Sequence, residues 1–180
     1  AGGRSYYVDK GLRLQLDRGI RRTTKKNQDY WVIVTGEEGV GKSTLAMQIA
    51  QYLYQDFSLK NVAFNNKQFV DMIEAEKAGS YKCIVYDEAA VGADRSFSRG
   101  KEAAKLIITA QTCRYKNLFI ILCIPRIYRL HRYLAIDRTH HWIHVWQHRS
   151  GHRMFHLYNQ GRKRLVLDKK NGYVNKKMER

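Results

Sequence analysis

Apolar residues in this chain switch between strand-like runs and helix-like spacing. Tyr30-Trp31-Val32-Ile33-Val34-Thr35 is a short, β-branched apolar run that ends at a glycine, the mark of a buried strand. Leu45, Ile49 and Leu53 then recur on one face, which predicts a helix over 41–55. A short strand is expected at 61–64. Asn65 followed by Gln68 forms a capping signal that opens a helix running to about residue 77. Cys83-Ile84-Val85-Tyr86 reads as a third strand and leads directly into Asp87-Glu88. After a loop at 92–100, a helix is expected over 101–114. A fourth buried strand follows at 118–124, closed by Pro125, the only proline. Strands alternating with helices predict an α/β fold with a mainly parallel sheet flanked by helices.

The two ends read differently. Strands are expected at 140–147 and 153–158, joined through His148-Arg149-Ser150-Gly151, so a C-terminal β-hairpin should extend the sheet. Alternation places Ile143, Val145, Phe155 and Leu157 on one face, toward the core. The opposite face carries His140, Trp142, His144, Trp146 and His148, with Met154, His156 and Tyr158. From Arg162 onward Lys and Arg dominate, and 165–167 is expected to add to the sheet. Residues 1–29 are basic, and their apolar positions do not decide between strand and helix. The expected organisation is a basic N-terminal extension at 1–29, one nucleotide-binding domain at 30–160 and a basic tail at 161–180.

Between the first strand and the helix after it lies Gly36-Glu37-Glu38-Gly39-Val40-Gly41-Lys42-Ser43-Thr44, a GxxxxGK[ST] phosphate-binding loop in the context that motif requires. Its glycines let successive N–H groups turn inward, and the helix N-terminus adds partial positive charge. Lys42 is expected to reach the β- and γ-phosphates of ATP, Ser43 to ligate Mg2+, and Thr44 to support the α-phosphate. Asp87, at the C-terminal end of its strand, is the second candidate for holding the metal. Glu88 beside it is a candidate base for the attacking water.

Charge adds a partner. Thirty-three Lys and Arg against sixteen Asp and Glu leave +17 on 180 residues, a footprint of nucleic-acid binding. No recognition-helix or zinc-finger pattern is present, so non-sequence-specific binding to DNA is expected. The three cysteines show no CxxC pairing, which suits buried thiols in a reducing, intracellular setting. No apolar run approaches the ~20 residues needed to span a bilayer, and no signal-peptide core is seen at the N-terminus.

With these motifs in hand, the chain resembles P-loop ATPases that carry a catalytic glutamate. The loop, then Val85-Tyr86-Asp87-Glu88-Ala89, then Cys113-Arg114-Tyr115-Lys116-Asn117-Leu118 ahead of an apolar strand, resemble the FtsK–HerA superfamily of DNA-pumping ATPases, including viral genome-packaging and Zot-like members. The resemblance covers about 28–147. It implies that the fourth strand lies between the loop strand and the Asp87 strand. It also implies a homo-oligomeric ring with DNA at its centre. An arginine supplied in trans would complete each site, Arg114 being the first candidate and Arg99 the second. The end of the fourth strand departs from the pattern. Leu122-Cys123-Ile124-Pro125 lacks a polar sensor, leaving Gln111, Arg126 or no residue in that role.

All seven histidines fall between His131 and His156. A metal centre, a solvated or subunit-contacting face, and a base-stacking platform all remain open for them. Two other functions share the loop. One is a small nucleotide kinase, with 126–138 imitating an arginine-rich lid. The other is a nucleotide-switched assembly protein with little turnover.

Overall fold

The computed structural model describes residues 8–87 and 101–167. Its strands are β1 (Tyr30–Thr35), β2 (Val62–Ala63), β3 (Cys83–Tyr86), β4 (Phe119–Ile124), β5 (His141–Gln147) and β6 (Arg153–Tyr158). Its helices are α1 (Lys10–Lys26), α2 (Lys42–Leu53), α3 (Asn66–Ala75), α4 (Lys101–Thr112) and α5 (Gln160–Leu167).

One sheet joins all six strands in the order β2-β3-β4-β1-β5-β6, so β4 does lie between β1 and β3. Every pairing is parallel except the β5–β6 hairpin. Successive residues of the central strands feed opposite layers. Val32, Val34, Ile121 and Cys123 pack with α1 and α2, whereas Trp31, Ile33, Ile120 and Leu122 pack with α3 and α4. Covering both faces explains why these strands are continuously apolar rather than alternating.

Sequence patterning left the N-terminal region undecided, and residues 10–26 are a helix. Asp9 accepts from the N–H groups of Gly11 and Leu12, closing the first turn. Leu12, Leu16, Gly19 and Thr23 form the buried stripe. Gly19 is required by close approach, because a Cβ there would stand 2.6 Å from the Tyr30 ring. The helix ends at Asn27, in the left-handed region, after Lys25 and Lys26.

Two expectations at the C-terminal end are corrected. Residues 165–167 do not extend the sheet, because 160–167 form α5. The hairpin face bearing histidine and tryptophan is not left open along its length either. Trp142 is fully buried, stacked on Tyr158 at 4.3 Å, and His144 is also buried. Alternation separates the two faces of a strand but cannot say which one another element covers. Here α5 and the segment at 127–138 lie over the Trp142 end, while Met154 and His156 stay exposed.

That segment carries the chain from the end of β4 back to the start of β5, as parallel β1–β5 pairing demands. It buries Ile127, Leu130, Leu134 and Ala135, then a short π-helical turn at Tyr133–Arg138 delivers Arg138 into the core. Arg138 Nη1 donates to Asp29 at 2.9 Å, Nη2 donates to the other Asp29 oxygen, and Nε donates to the Ala110 carbonyl at 2.6 Å. Asp29 also accepts from Trp31 Nε1 at 2.8 Å. Among the described residues no helix is long and apolar enough to cross a membrane.

Candidate nucleotide site

The turn after β1 is shaped by steric demands that glycine alone meets. Gly36 has φ +151°, and a Cβ there would lie 2.3 Å from the carbonyl oxygen of Val145 on β5. The loop is therefore pressed against the neighbouring strand, and the Gly36 N–H donates to the Pro125 carbonyl at 3.2 Å. Gly41, at φ +94°, sits in the left-handed region immediately before α2. No side chain caps α2, so its first N–H groups point into the loop, an arrangement that suits an anion. Lys42 folds back and donates to the Glu37 backbone carbonyl at 2.7 Å.

Ser43 and Asp87 are 44 positions apart in the chain, and the fold brings them together. Ser43 Oγ donates to Asp87 Oδ1 at 3.0 Å. Parallel register accounts for the meeting, because β1 and β3 both end at the same sheet edge, on either side of β4. The Asp87 N–H is held by the Ala63 carbonyl at 2.9 Å. Cys123, at the end of β4, is a neighbour that sequence reasoning passed over. Its thiol is pushed well up, first by burial and then by the adjacent Asp87 carboxylate, to which it hydrogen-bonds. A buried, protonated thiol thus occupies the strand end where the resembling family often carries a polar amide.

Glu88 and Arg99 lie outside the described residues. Arg114 is described and exposed, on the short turn Cys113–Lys116 that precedes β4. Its own site is beyond reach, because the turn lies at the N-terminal edge of the sheet and the loop at the other, about 17 Å away along a six-residue strand. Gln111 lies near the same far edge, at the end of α4 that feeds this turn. Arg126 follows Pro125 at the loop edge and is exposed. Lys116 has a structural task that the motif did not reveal. Its buried ammonium donates to the carbonyls of Ile73, Glu74 and Glu76 at 2.8, 2.9 and 2.6 Å, capping α3.

The histidine side of β5 adjoins the loop, which alternation alone could not indicate. Trp142 Nε1 donates to Thr35 Oγ1 at 2.7 Å, and the Thr35 hydroxyl shares a second hydrogen bond, of 2.9 Å, with His144 Nδ1. Burial, with His156 nearby, holds the His144 pKa below its ordinary value against the pull of Glu37. Beside it, Glu37, Glu38, Trp146 and His148 line a polar cleft of about 460 Å³. Among the described residues no group of three or more His, Cys, Asp or Glu is placed to hold a metal ion.

Of the arginines at 126–138 that would imitate a kinase lid, Arg126 is exposed at the loop edge, but Arg138 is not available. Arg138 is spent on Asp29, which immediately precedes β1 at the edge remote from the loop.

Solved structures share this architecture. The N-terminal domain of zonular occludens toxin from Neisseria meningitidis superposes with a TM-score of 0.53 at 17% identity, over 73% of this chain and 84% of that one. A DNA polymerase III gamma subunit-related protein from Thermotoga maritima gives 0.52 at 12% identity, over 76% of this chain but only 47% of its own length. The genome packaging NTPase B204 from Sulfolobus turreted icosahedral virus 2, in complex with sulfate, gives 0.46 at 16% identity, over 68% and 76% of the two chains. The first two likenesses establish the fold. No curated protein matches the chain in sequence. The family model described as Novel STAND NTPase 3 matches residues 19–166, most of the chain, and the protein is therefore a member of that family, a P-loop enzyme that hydrolyses nucleoside triphosphates.

Proposed function

We propose that the protein is an ATP-driven motor that moves DNA, of the kind used to package a viral genome or transfer a plasmid. The observation that carries the nucleotide half is the 3.0 Å contact between Ser43 and Asp87, which sets a hydroxyl and a carboxylate beside the loop. Both are hard oxygen donors and fit Mg2+, which favours one or two carboxylates together with phosphate oxygens. Ser43 and Asp87 would hold that ion, and when bound it supplies charge neutralisation at the β- and γ-phosphates. Lys42 exchanges its bond to Glu37 for the same phosphates. Glu88 takes the proton of the attacking water, while Cys123 keeps Asp87 in place.

Arg114, exposed and remote from its own loop, suits an arginine given to a neighbouring subunit. This favours a homo-oligomeric ring in which hydrolysis depends on assembly. The DNA half rests on charge. The exposed side of α1 presents Lys10, Arg13, Arg18, Arg21, Lys25 and Lys26, and its Asp17 is already engaged by Tyr52 at 2.6 Å. Such a face supports non-sequence-specific contact with phosphates.

Phosphate release measured with and without duplex or single-stranded DNA of unrelated sequences tests the proposal. Strong stimulation by any sequence is expected. The affinity should fall linearly on a log–log salt plot, with a slope of roughly −0.9 per duplex phosphate or −0.7 per single-strand phosphate. Turnover indifferent to DNA, with a flat salt plot, would overturn it.

A further inference from the structure

Beside the phosphate loop lies a cavity of about 340 Å³, within the range of small-molecule sites, to which neither the sequence motifs nor the family match assigns a role. Its floor is the flank of α2, its walls the start of α1 and the hairpin. Apolar surface comes from Val8 and Leu12 on one side and from Val145 and Phe155 on the other. Gly41 and Thr44 also line it, so the cavity opens onto the loop itself. Gln48 stands one helical turn beyond Thr44, about 6 Å along α2, and offers a neutral amide. Asp9 lines the far end, with one carboxylate oxygen already committed to the α1 cap.

A second observation marks the mouth. Arg153, on β6, lies against the loop, its Nη1 only 3.0 Å from where a Cβ on Gly41 would stand. Its guanidinium has no hydrogen-bond or ionic partner among the described residues. An unpaired planar cation at the junction of an anion cradle and an apolar slot suits a ligand that is charged at one end and flat and apolar at the other.

We propose that this cavity is the nucleoside subsite. The purine base slots between the start of α1 and the hairpin, the ribose passes Gln48, and Arg153 donates to the ribose or the α-phosphate. The inference rests on the loop being the triphosphate site, which it extends by naming the groups that hold the rest of the nucleotide. With few polar groups in the slot, discrimination between purines should be weak, because rejection of a wrong base depends on leaving a buried polar partner unpaired.

Titration calorimetry with Mg2+ and either ATP or inorganic tripolyphosphate separates the two claims. Wild type should bind ATP about tenfold or more tighter than tripolyphosphate, since only ATP buries a base. Gln48→Phe fills the slot from a partly exposed position on α2. It should lower ATP affinity about tenfold while leaving tripolyphosphate within about twofold. Val8→Trp, from the partly exposed wall just before α1, should reproduce that pattern. Unchanged ATP affinity in both variants, with tripolyphosphate still bound, overturns the nucleoside assignment and spares the loop. Failure of wild type to bind either ligand overturns the loop assignment, and this inference with it. Photolabelling with 8-azido-ATP, with no substitution at all, should mark peptides containing Val8–Leu12 or Arg153–Phe155, with competition by ATP. Competed label found only elsewhere also overturns the assignment.

Discussion

Replacing Arg138 tests how the N-terminal edge of the sheet is held together. Arg138 and Asp29 are 3% and 2% exposed, so each is a buried charge whose principal compensation is the other. Arg138→Met leaves the Asp29 carboxylate with Trp31 Nε1 and the weakly bonding Cys113 thiol at 3.7 Å. Removing one partner of a buried pair costs about 3–5 kcal/mol, because the remaining charge is neither solvated nor neutralised. For a domain of this size each kcal/mol lowers Tm by about 2–4 °C, so a fall of about 6–20 °C is expected. Asp29→Leu should cost a similar amount, for it strands the guanidinium over the Trp31 ring, 4.9 Å from its centroid. The double variant removes both charges and leaves chiefly the Trp31 N–H unpaired, a deficit of about 1–3 kcal/mol. It should therefore be more stable than either single variant. Urea denaturation followed by circular dichroism measures all three. Single losses below about 1 kcal/mol, or a double loss equal to the sum of the singles, would refute the reasoning.

Three further outcomes are expected. Lys42→Ala should abolish tight ATP binding in titration calorimetry, and affinity within about twofold of wild type would remove Lys42 from the phosphates. Arg114→Ala and Glu88→Gln should each retain nucleotide binding and lose nearly all turnover, while a mixture of the two should recover part of it. No recovery in demonstrated co-assemblies would argue against an arginine given in trans. Acid should destabilise the fold below pH 6.5. Burial holds His140 at about 3 and His141 at about 4. His140 Nδ1 accepts the Trp31 N–H and His141 Nδ1 meets the Tyr30 hydroxyl at 2.7 Å. Their folded pKa values lie below the unfolded 6.5, so unfolding takes up protons as pH drops from 6.5 toward 3–4, and stability falls over that window. His141→Asn should flatten part of the pH dependence of Tm, and an unaltered profile would exclude this histidine as a contributor.

The phosphate loop, the Asp87 strand and the central parallel sheet were legible in the sequence, because each is encoded locally. A glycine pattern, a run of apolar β-branched residues and a capping pair need no knowledge of distant chain. Helix α1 was less so. Its stripe at Leu12, Leu16, Gly19 and Thr23 includes two small residues that carry no apolar signal, and Gly19 is explained only by the Tyr30 ring it meets. What covers the Trp142 face, the pairing of Arg138 with Asp29 across 109 positions, and the Cys123 thiol beside Asp87 were decided by the tertiary fold alone. The same holds for the cavity between α1, α2 and the hairpin. Its walls come from segments more than a hundred residues apart, and no local pattern encodes an empty space that long-range packing creates. Sequence periodicity gives each element its faces. Only the assembled sheet, with β5 and β6 laid beside the loop, determines which of those faces meet.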